Sequence, residues 1–375
     1  MKRVGANLLL ATAAFAFVLG ATELVLRTTH LFGARLAWTR TDNRIGWRFV
    51  PSSAYWFFGE NDHAIHGRIN AHGWRDRERQ VVRTDGPCRI AVLGDSFVEA
   101  FQVESDSTFC AIAERTLQAT WRGAEVLNFG RSGVTQTEEW LLVDEVLSYH
   151  PDAVIVLFVP HNDIADIAPS TATNPLRPFA SFADGGSPRI DFSFHDARGY
   201  RVRRAIGPLK RHSALISLLA QRYNALTRAH RLDALVRHEG DLSGPLTLCT
   251  RSPKPRVAAH YALCLRMLGD IAERFRRDGV RVAFASVPMV YTTARINALQ
   301  QIDESFDPMR FENDLARVAR AHGAALIALQ KRFEARAAAG ERLTWTHFTY
   351  AGHREVARAT VKFAQHVCRA RTGGR

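Results

Sequence analysis

From Cys88 onward, short apolar runs alternate with stretches of helical period, and this alternation restricts the chain to one class of fold. The runs are residues 90–93, 126–127, 153–159, 280–287 and 324–329. Each is rich in apolar or β-branched residues and too short for a buried helix, so all five read as strands covered on both faces. The spacing predicts helices over 108–120, 135–149, 257–277, 309–322 and 351–369. Such alternation requires right-handed crossovers and hence a parallel sheet in an α/β domain. Loops leaving the carboxyl ends of parallel strands meet in one crevice, so chemistry is expected there.

The first 27 residues differ from everything that follows. Lys2 and Arg3 precede 19 uncharged residues, 4–22. As a helix this stretch is roughly 29 Å long, close to the hydrocarbon thickness of a bilayer, and it reads as one uncleaved membrane span. A cleaved signal peptide is the alternative, since Ala14-Phe15-Ala16 has the small-residue pattern of a cleavage site, although the apolar stretch runs on past it. The basic start favours a cytoplasmic N-terminus, which puts the rest on the periplasmic or outer side of a bacterial inner membrane. Arg27, Arg35, Arg40 and Arg48, on the far side of the stretch, oppose that orientation.

Beyond the span, 46% apolar and 23% charged residues over 375 positions exclude a disordered, collagen-like or polytopic chain. The formal charge of +13 favours an anionic neighbour such as a phospholipid surface, an acidic glycan or nucleic acid. No nucleic-acid-binding motif accompanies it. Cys88, Cys110, Cys249, Cys264 and Cys368 show neither CxxC nor Cys/His ligand spacing, so no zinc site is expected. At this length the core needs no disulfide framework, and the cysteines need no structural role. A Cys249–Cys264 pair and separate buried thiols both remain open.

Residues 28–85, rich in Trp, Arg, Gly and His but without sustained period, read as an extended segment packed on a main domain of residues 86–372. Gly46-Trp47-Arg48 and Gly73-Trp74-Arg75-Asp76 look like turn-anchored aromatic contacts. Between Asp163 and Val257 the alternation fails, which marks an insertion at about 164–256. Its first half, with Pro169, Pro175, Pro178, Gly185, Gly186 and Pro188, reads as loop, and 213–236 as helix. Basic residues from Arg198 to Arg237 leave two readings of this region, a solvated helix face or contact with a membrane surface or acidic polymer.

Candidate chemistry sits where the strands end. Gly94-Asp95-Ser96 follows the first strand and exposes Ser96 as a candidate nucleophile, although Gly-Asp-Ser alone is also a common turn. The second strand ends in Gly130-Arg131-Ser132-Gly133 and the third in Val159-Pro160-His161-Asn162-Asp163. The Gly133 N–H and the Asn162 carboxamide are candidate donors to one developing oxyanion, with a helix start after Ser132 adding its dipole. After the last strand, Thr344-Trp345-Thr346-His347 enters the final helix; His347 is the candidate base, and His353, inside the helix, a packing or capping residue. Asp95 and Asp163 read as acceptors that fix loops. Arg131 either meets an acidic substrate group or is solvated.

At these four blocks the chain resembles the SGNH/GDSL hydrolase superfamily, named for Ser, Gly, Asn and His in that order, and the resemblance covers about residues 88–370 apart from the insertion. The anchored start looks like a bacterial subgroup of it. The resemblance implies a flavodoxin-like three-layer α/β/α fold with a five-stranded parallel sheet. It implies Ser96 as nucleophile, the N–H groups of Ser96 and Gly133 with Asn162 as oxyanion donors, His347 as base, and no metal or organic cofactor. Two departures stand out: Thr344 occupies the place of the aspartate that such enzymes carry three residues before the histidine, and Pro160 stands where Gly is frequent.

The expected function is an anchored serine esterase acting through an acyl-serine on an ester, such as an O-acyl group of a cell-envelope glycan. O-acetyl transfer to an envelope polysaccharide uses the same constellation. A degenerate, non-catalytic glycan-binding member is the third reading, favoured by Thr344, because loss of the orienting carboxylate costs orders of magnitude in a serine triad.

Overall fold

All five expected strands form in the computed structural model, which describes residues 2–60, 63–83, 86–183, 186–240, 244–251 and 253–373. They are β1 (Arg89–Gly94), β2 (Glu125–Gly130), β3 (Ala153–Phe158), β4 (Arg281–Ser286) and β5 (Ala325–Ile327). Every pairing is parallel and the order is β5-β4-β3-β1-β2, the flavodoxin-like arrangement. Each residue of β1 and β3 is buried, as continuous apolar runs require.

In chain order the helices are α1 (Lys2–Thr29), α2 (Ser96–Glu99), α3 (Phe109–Gln118), α4 (Gln136–Leu147), α5 (Pro160–Asp166), α6 (Arg198–His212), α7 (Ala214–Glu239), α8 (Pro255–Arg277), α9 (Thr293–Ile302), α10 (Arg310–Ala321), α11 (Gln330–Ala338) and α12 (Tyr350–Arg371), with one further short turn at Pro245–Leu248. Alternate strand residues enter two layers. Leu93, Val154 and Phe284 pack with Leu142, Leu268 and Leu315 from α4, α8 and α10. Ile90, Val92 and Ile155 pack with Ala113, Phe333 and Val356 from α3, α11 and α12.

The described residues among 28–83 hold more regular structure than their sequence suggests. Two antiparallel hairpins form, Thr39–Asp42 with Gly46–Phe49 and Ala54–Phe57 with Ile65–Arg68, and strands of four residues are too short to display a period. Trp38, Phe49 and Tyr55 cluster with Phe101 of the main domain. Buried arginines complete the seam. Arg75 donates to the Tyr55 hydroxyl at 2.8 Å and to the Glu99 carbonyl at 2.9 Å, and Arg79 pairs with Asp76 at 2.8 Å and with Glu114. Because a buried guanidinium is costly unless its donors are used, these contacts select one docking geometry.

The insertion also holds more structure than expected. A hairpin joins Phe179–Ser181 to Arg189–Asp191 within the stretch read as loop, while Gly185 lies outside the described residues. Helix α6 was not legible, since it carries Pro208 and fully buries only Tyr200. Helix α1 is long and apolar enough to cross a membrane, and its Leu8, Leu9 and Phe17 are exposed. Its Glu23 accepts hydrogen bonds from the Ser213 hydroxyl (2.9 Å) and the N–H groups of Ala214 (2.7 Å) and Leu215 (3.0 Å), so a carboxylate of α1 caps α7 where the helix dipole favours negative charge.

Cys88 and Cys368 form a disulfide, whereas Cys249 and Cys264 are separate buried thiols. This corrects the expectation that no cysteine is structural: the bond ties the entry to β1 to the last turn of α12 across 280 residues, a proximity no local spacing displays. Replacing both Cys88 and Cys368 by Ser lowers stability by about 2–4 kcal/mol. Thermal melts of the full chain in detergent check this, and a reducing agent should bring the wild type to the same midpoint as the double variant.

Candidate active site

Ser96 opens α2 directly after β1 and is half-buried while its neighbours Asp95 and Phe97 are fully buried. The turn is held from behind. Asp95 is the N-cap and accepts from the Phe97 N–H at 3.0 Å, which turns the chain sharply enough to present the Ser96 hydroxyl. The end of β2 lies against the same short helix, and a Cβ on Gly130 would stand 2.1 Å from the Glu99 nitrogen. Only glycine permits that approach.

Gly133 and Asn162 come from the next two strand ends. Gly133, exposed with φ +69°, sits in the turn after β2. The helix expected over 135–149 starts at Gln136: Thr135 precedes α4, and its N–H and hydroxyl both engage Glu138. Asn162 lies in the first turn of α5, with Pro160 at a position where proline suits a helix start. Its Nδ2 donates to the second oxygen of Asp95 at 2.9 Å. One carboxylate thus orients both the serine turn and the Asn162 carboxamide, and the second Nδ2 hydrogen is left for another acceptor.

His347 reaches the same crevice from the loop before α12. A bridge between Thr344 and Phe348, the Thr349 cap on Gly352 N–H at 3.2 Å and a Phe97 ring 4.8 Å from the imidazole fix the loop and ring. Its Nε2 is 2.8 Å from the Ser96 Oγ. Its Nδ1 meets one carboxylate oxygen of Glu60, and its backbone N–H donates to the other at 2.8 Å. The Thr344 side chain makes no hydrogen bond to the imidazole; its carbonyl accepts from Arg342 at 3.3 Å. The carboxylate absent from position 344 therefore comes from Glu60, just beyond the hairpin strand Ala54–Phe57 and 287 residues away from His347.

Sequence reasoning missed Glu60 because nothing distinguishes it from the chain's other 36 acidic residues, 37 in all. Burial by itself would raise its carboxyl, but the hydrogen bonds from the His347 side chain and N–H outweigh that and hold it below the usual carboxylate range. It stays ionised, as a partner for imidazolium must.

Neither a family model nor a curated protein matches the sequence. Solved structures match the chain at low identity. One is TesA, 11% identical, covering 74% of this chain and 99% of that chain with a TM-score of 0.39. Another is the lipase/acylhydrolase from Enterococcus faecalis, at 15% identity, 74% and 94% coverage and a TM-score of 0.39. A third is a catalytic mutant of Axe2, an acetylxylan esterase from Geobacillus stearothermophilus, at 12%, 75% and 95%, and 0.41. These likenesses are distant; the fold rests on the sheet order, and Ser96, Gly133 and Asn162 follow the ends of β1, β2 and β3. The chain has a flavodoxin-like α/β fold.

Other side chains around this crevice make structural contacts. Asp163 accepts from the Val159 N–H and from Gln136 Nε2, both at 2.8 Å, and burial pushes the carboxyls of Asp95 and Asp163 upward. Arg131 fits neither expectation: it is fully buried, donates to the carbonyls of Ile45 (3.1 Å) and Trp47, and burial pushes its guanidinium down to about 10. It anchors the first hairpin and faces no substrate. Burial also pushes His161 down, which favours its neutral form. Among the described residues, no group of three or more His, Cys, Asp or Glu is placed to hold a metal.

His353 is fully buried in α12, accepts the Phe109 N–H at 3.2 Å, and is pushed down to about 3, chiefly by burial. Since the unfolded chain takes up that proton near 6.5, stability falls as pH drops from about 6.5 towards 3, by at most on the order of 4 kcal/mol. His353→Gln keeps an acceptor for Phe109 but does not titrate. Thermal melts from pH 7 to 4.5 should show a shallower acid slope for this variant than for the wild type; parallel slopes would contradict the assignment.

Proposed function

We propose that this protein is a membrane-anchored serine esterase of SGNH/GDSL type that cleaves an O-acyl ester, with a cell-envelope glycan as the acyl carrier. The observation that carries the reading is the continuous path from Glu60 through His347 to Ser96, closed by the 2.8 Å contact between Nε2 and Oγ. Ser96 Oγ attacks the acyl carbonyl as His347 Nε2 takes its proton, and Glu60 balances the imidazolium. Negative charge on the carbonyl oxygen is met by the N–H groups of Ser96 and Gly133 and by the second Nδ2 hydrogen of Asn162. The imidazolium returns the proton to the departing alkoxide, leaving an acyl-serine. Water, deprotonated by His347, then releases the carboxylic acid and restores Ser96.

Glu60 removes the reason for reading the chain as a non-catalytic glycan binder, since that reading rested on the missing carboxylate. Helix α1 supports single-pass anchoring, and the Cys88–Cys368 disulfide supports an oxidising compartment for the remainder, the periplasmic side of an inner membrane. A glycan ester suits a site tethered close to a membrane surface.

Turnover of p-nitrophenyl acetate by the full chain in detergent tests the mechanism. Ser96→Ala should fall to background, and Glu60→Gln should lower kcat by about 10³–10⁴-fold with KM little changed. A fluorophosphonate should label Ser96 covalently. Equal rates for wild type and Ser96→Ala, together with no labelling, would reject the esterase reading.

A further inference from the structure

A second concave site lies at the end of the apolar helix. A cavity of about 510 Å³ is lined by Arg27, His30, Arg35, Trp56, Arg211 and His212, and its lining contains no carboxylate. Arg27 pairs with Glu23 at 2.6 Å, but no carboxylate lies within ion-pair distance of Arg35 or Arg211 among the described residues. The Arg35 guanidinium is held instead over Trp38 (4.7 Å) and Phe58 (5.8 Å), and burial pushes it down to about 10. A partly desolvated cation without a counter-ion gains most from an arriving anion. The apolar part of the wall, including Leu36 and Val50, suits a ligand that is not a bare ion.

The cavity's level is set by its neighbours. Arg27 belongs to the last turn of α1 and His30 follows it; Leu31 and Phe32, next in the chain, are 48% and 68% exposed. His30 packs on Trp56 with ring centroids 4.4 Å apart. Aromatic rings and arginines just past an apolar helix of this length mark the headgroup region of a bilayer. Helix α7, whose start is capped by Glu23 of α1, exposes Leu219, Tyr223 and Leu226 at helical spacing, a further apolar face at the same end of the molecule.

We propose that this cavity binds the headgroup of an anionic glycerophospholipid from the leaflet at which α1 ends, with Arg35 and Arg211 on the phosphate and Trp56 on the glycerol side. Arginine suits this ligand because its planar fork of donors matches phosphate oxygens. The proposal rests on the reading of α1 as a membrane span.

Native mass spectrometry of the full chain in a nonionic detergent with equimolar phosphatidylglycerol and phosphatidylcholine tests it. One phosphatidylglycerol should be retained in preference to phosphatidylcholine by about 30-fold, the effect of two surface arginines, and Arg35→Gln with Arg211→Gln should remove that preference while leaving the melting temperature unchanged. Equal retention of the two lipids by the wild type needs no variant to interpret and overturns the proposal, as does a preference that survives the double substitution. Displacement of the lipid by submillimolar inorganic phosphate would identify a free-phosphate site and overturn the lipid source. Flotation of the full chain with phosphatidylcholine liposomes after alkaline carbonate reads the span separately: protein that fails to float refutes the anchor itself, and protein that floats without lipid preference refutes only the pocket.

Discussion

The two hydrogen bonds that Glu60 accepts from His347 join the parts of this molecule that are otherwise separate in sequence. One partner stands beside a small hairpin ahead of the sheet and the other in the loop before the last helix. An imidazole that is to take a proton at Nε2 must present the right tautomer and plane, and a carboxylate on Nδ1 enforces both. The docking of residues 28–85 is therefore a condition for the site as well as for packing. Buried Arg75, Arg79 and Arg131 secure that docking through carbonyls and carboxylates of both parts.

Around this link the sheet acts as a rigid frame. β1, β2 and β3 deliver Ser96, Gly133 and Asn162 to one edge, and Asp95 couples two of them by bonding both the serine turn and the Asn162 carboxamide. Burial raises the Asp95 carboxyl, but each of its oxygens accepts from a fixed donor, Phe97 N–H on one and Asn162 Nδ2 on the other, which makes it a positioning group. The hairpin that carries Glu60 between its two strands also supplies Trp56 to the cavity beside α1, so that cavity and the imidazole share one short structural element.

Much of the frame was legible before any coordinates. The strands were visible as short apolar runs, most plainly β1 and β3, every residue of which is buried. Helices α3, α8, α10 and α12 were visible because each buries one face and exposes the other. Helices α2 and α5, of 4 and 7 residues, were hidden because one or two turns cannot show a period. Arg131 was misread because an arginine is solvated or buried according to whether carbonyls are waiting for it, and those of Ile45 and Trp47 come from elsewhere in the chain.

By itself the sequence determined the α/β alternation, the apolar helix at the start, and the order of Ser96, Gly133, Asn162 and His347 along successive strand ends, because all of these follow from local periodicity and from the rule that parallel strands finish on one side. Tertiary structure alone decided that Glu60 meets His347, that Cys88 meets Cys368, and that basic side chains gather in a cavity next to α1. Each of these contacts joins residues far apart in the chain, and their meeting depends on the path of everything between them, which no spacing rule encodes.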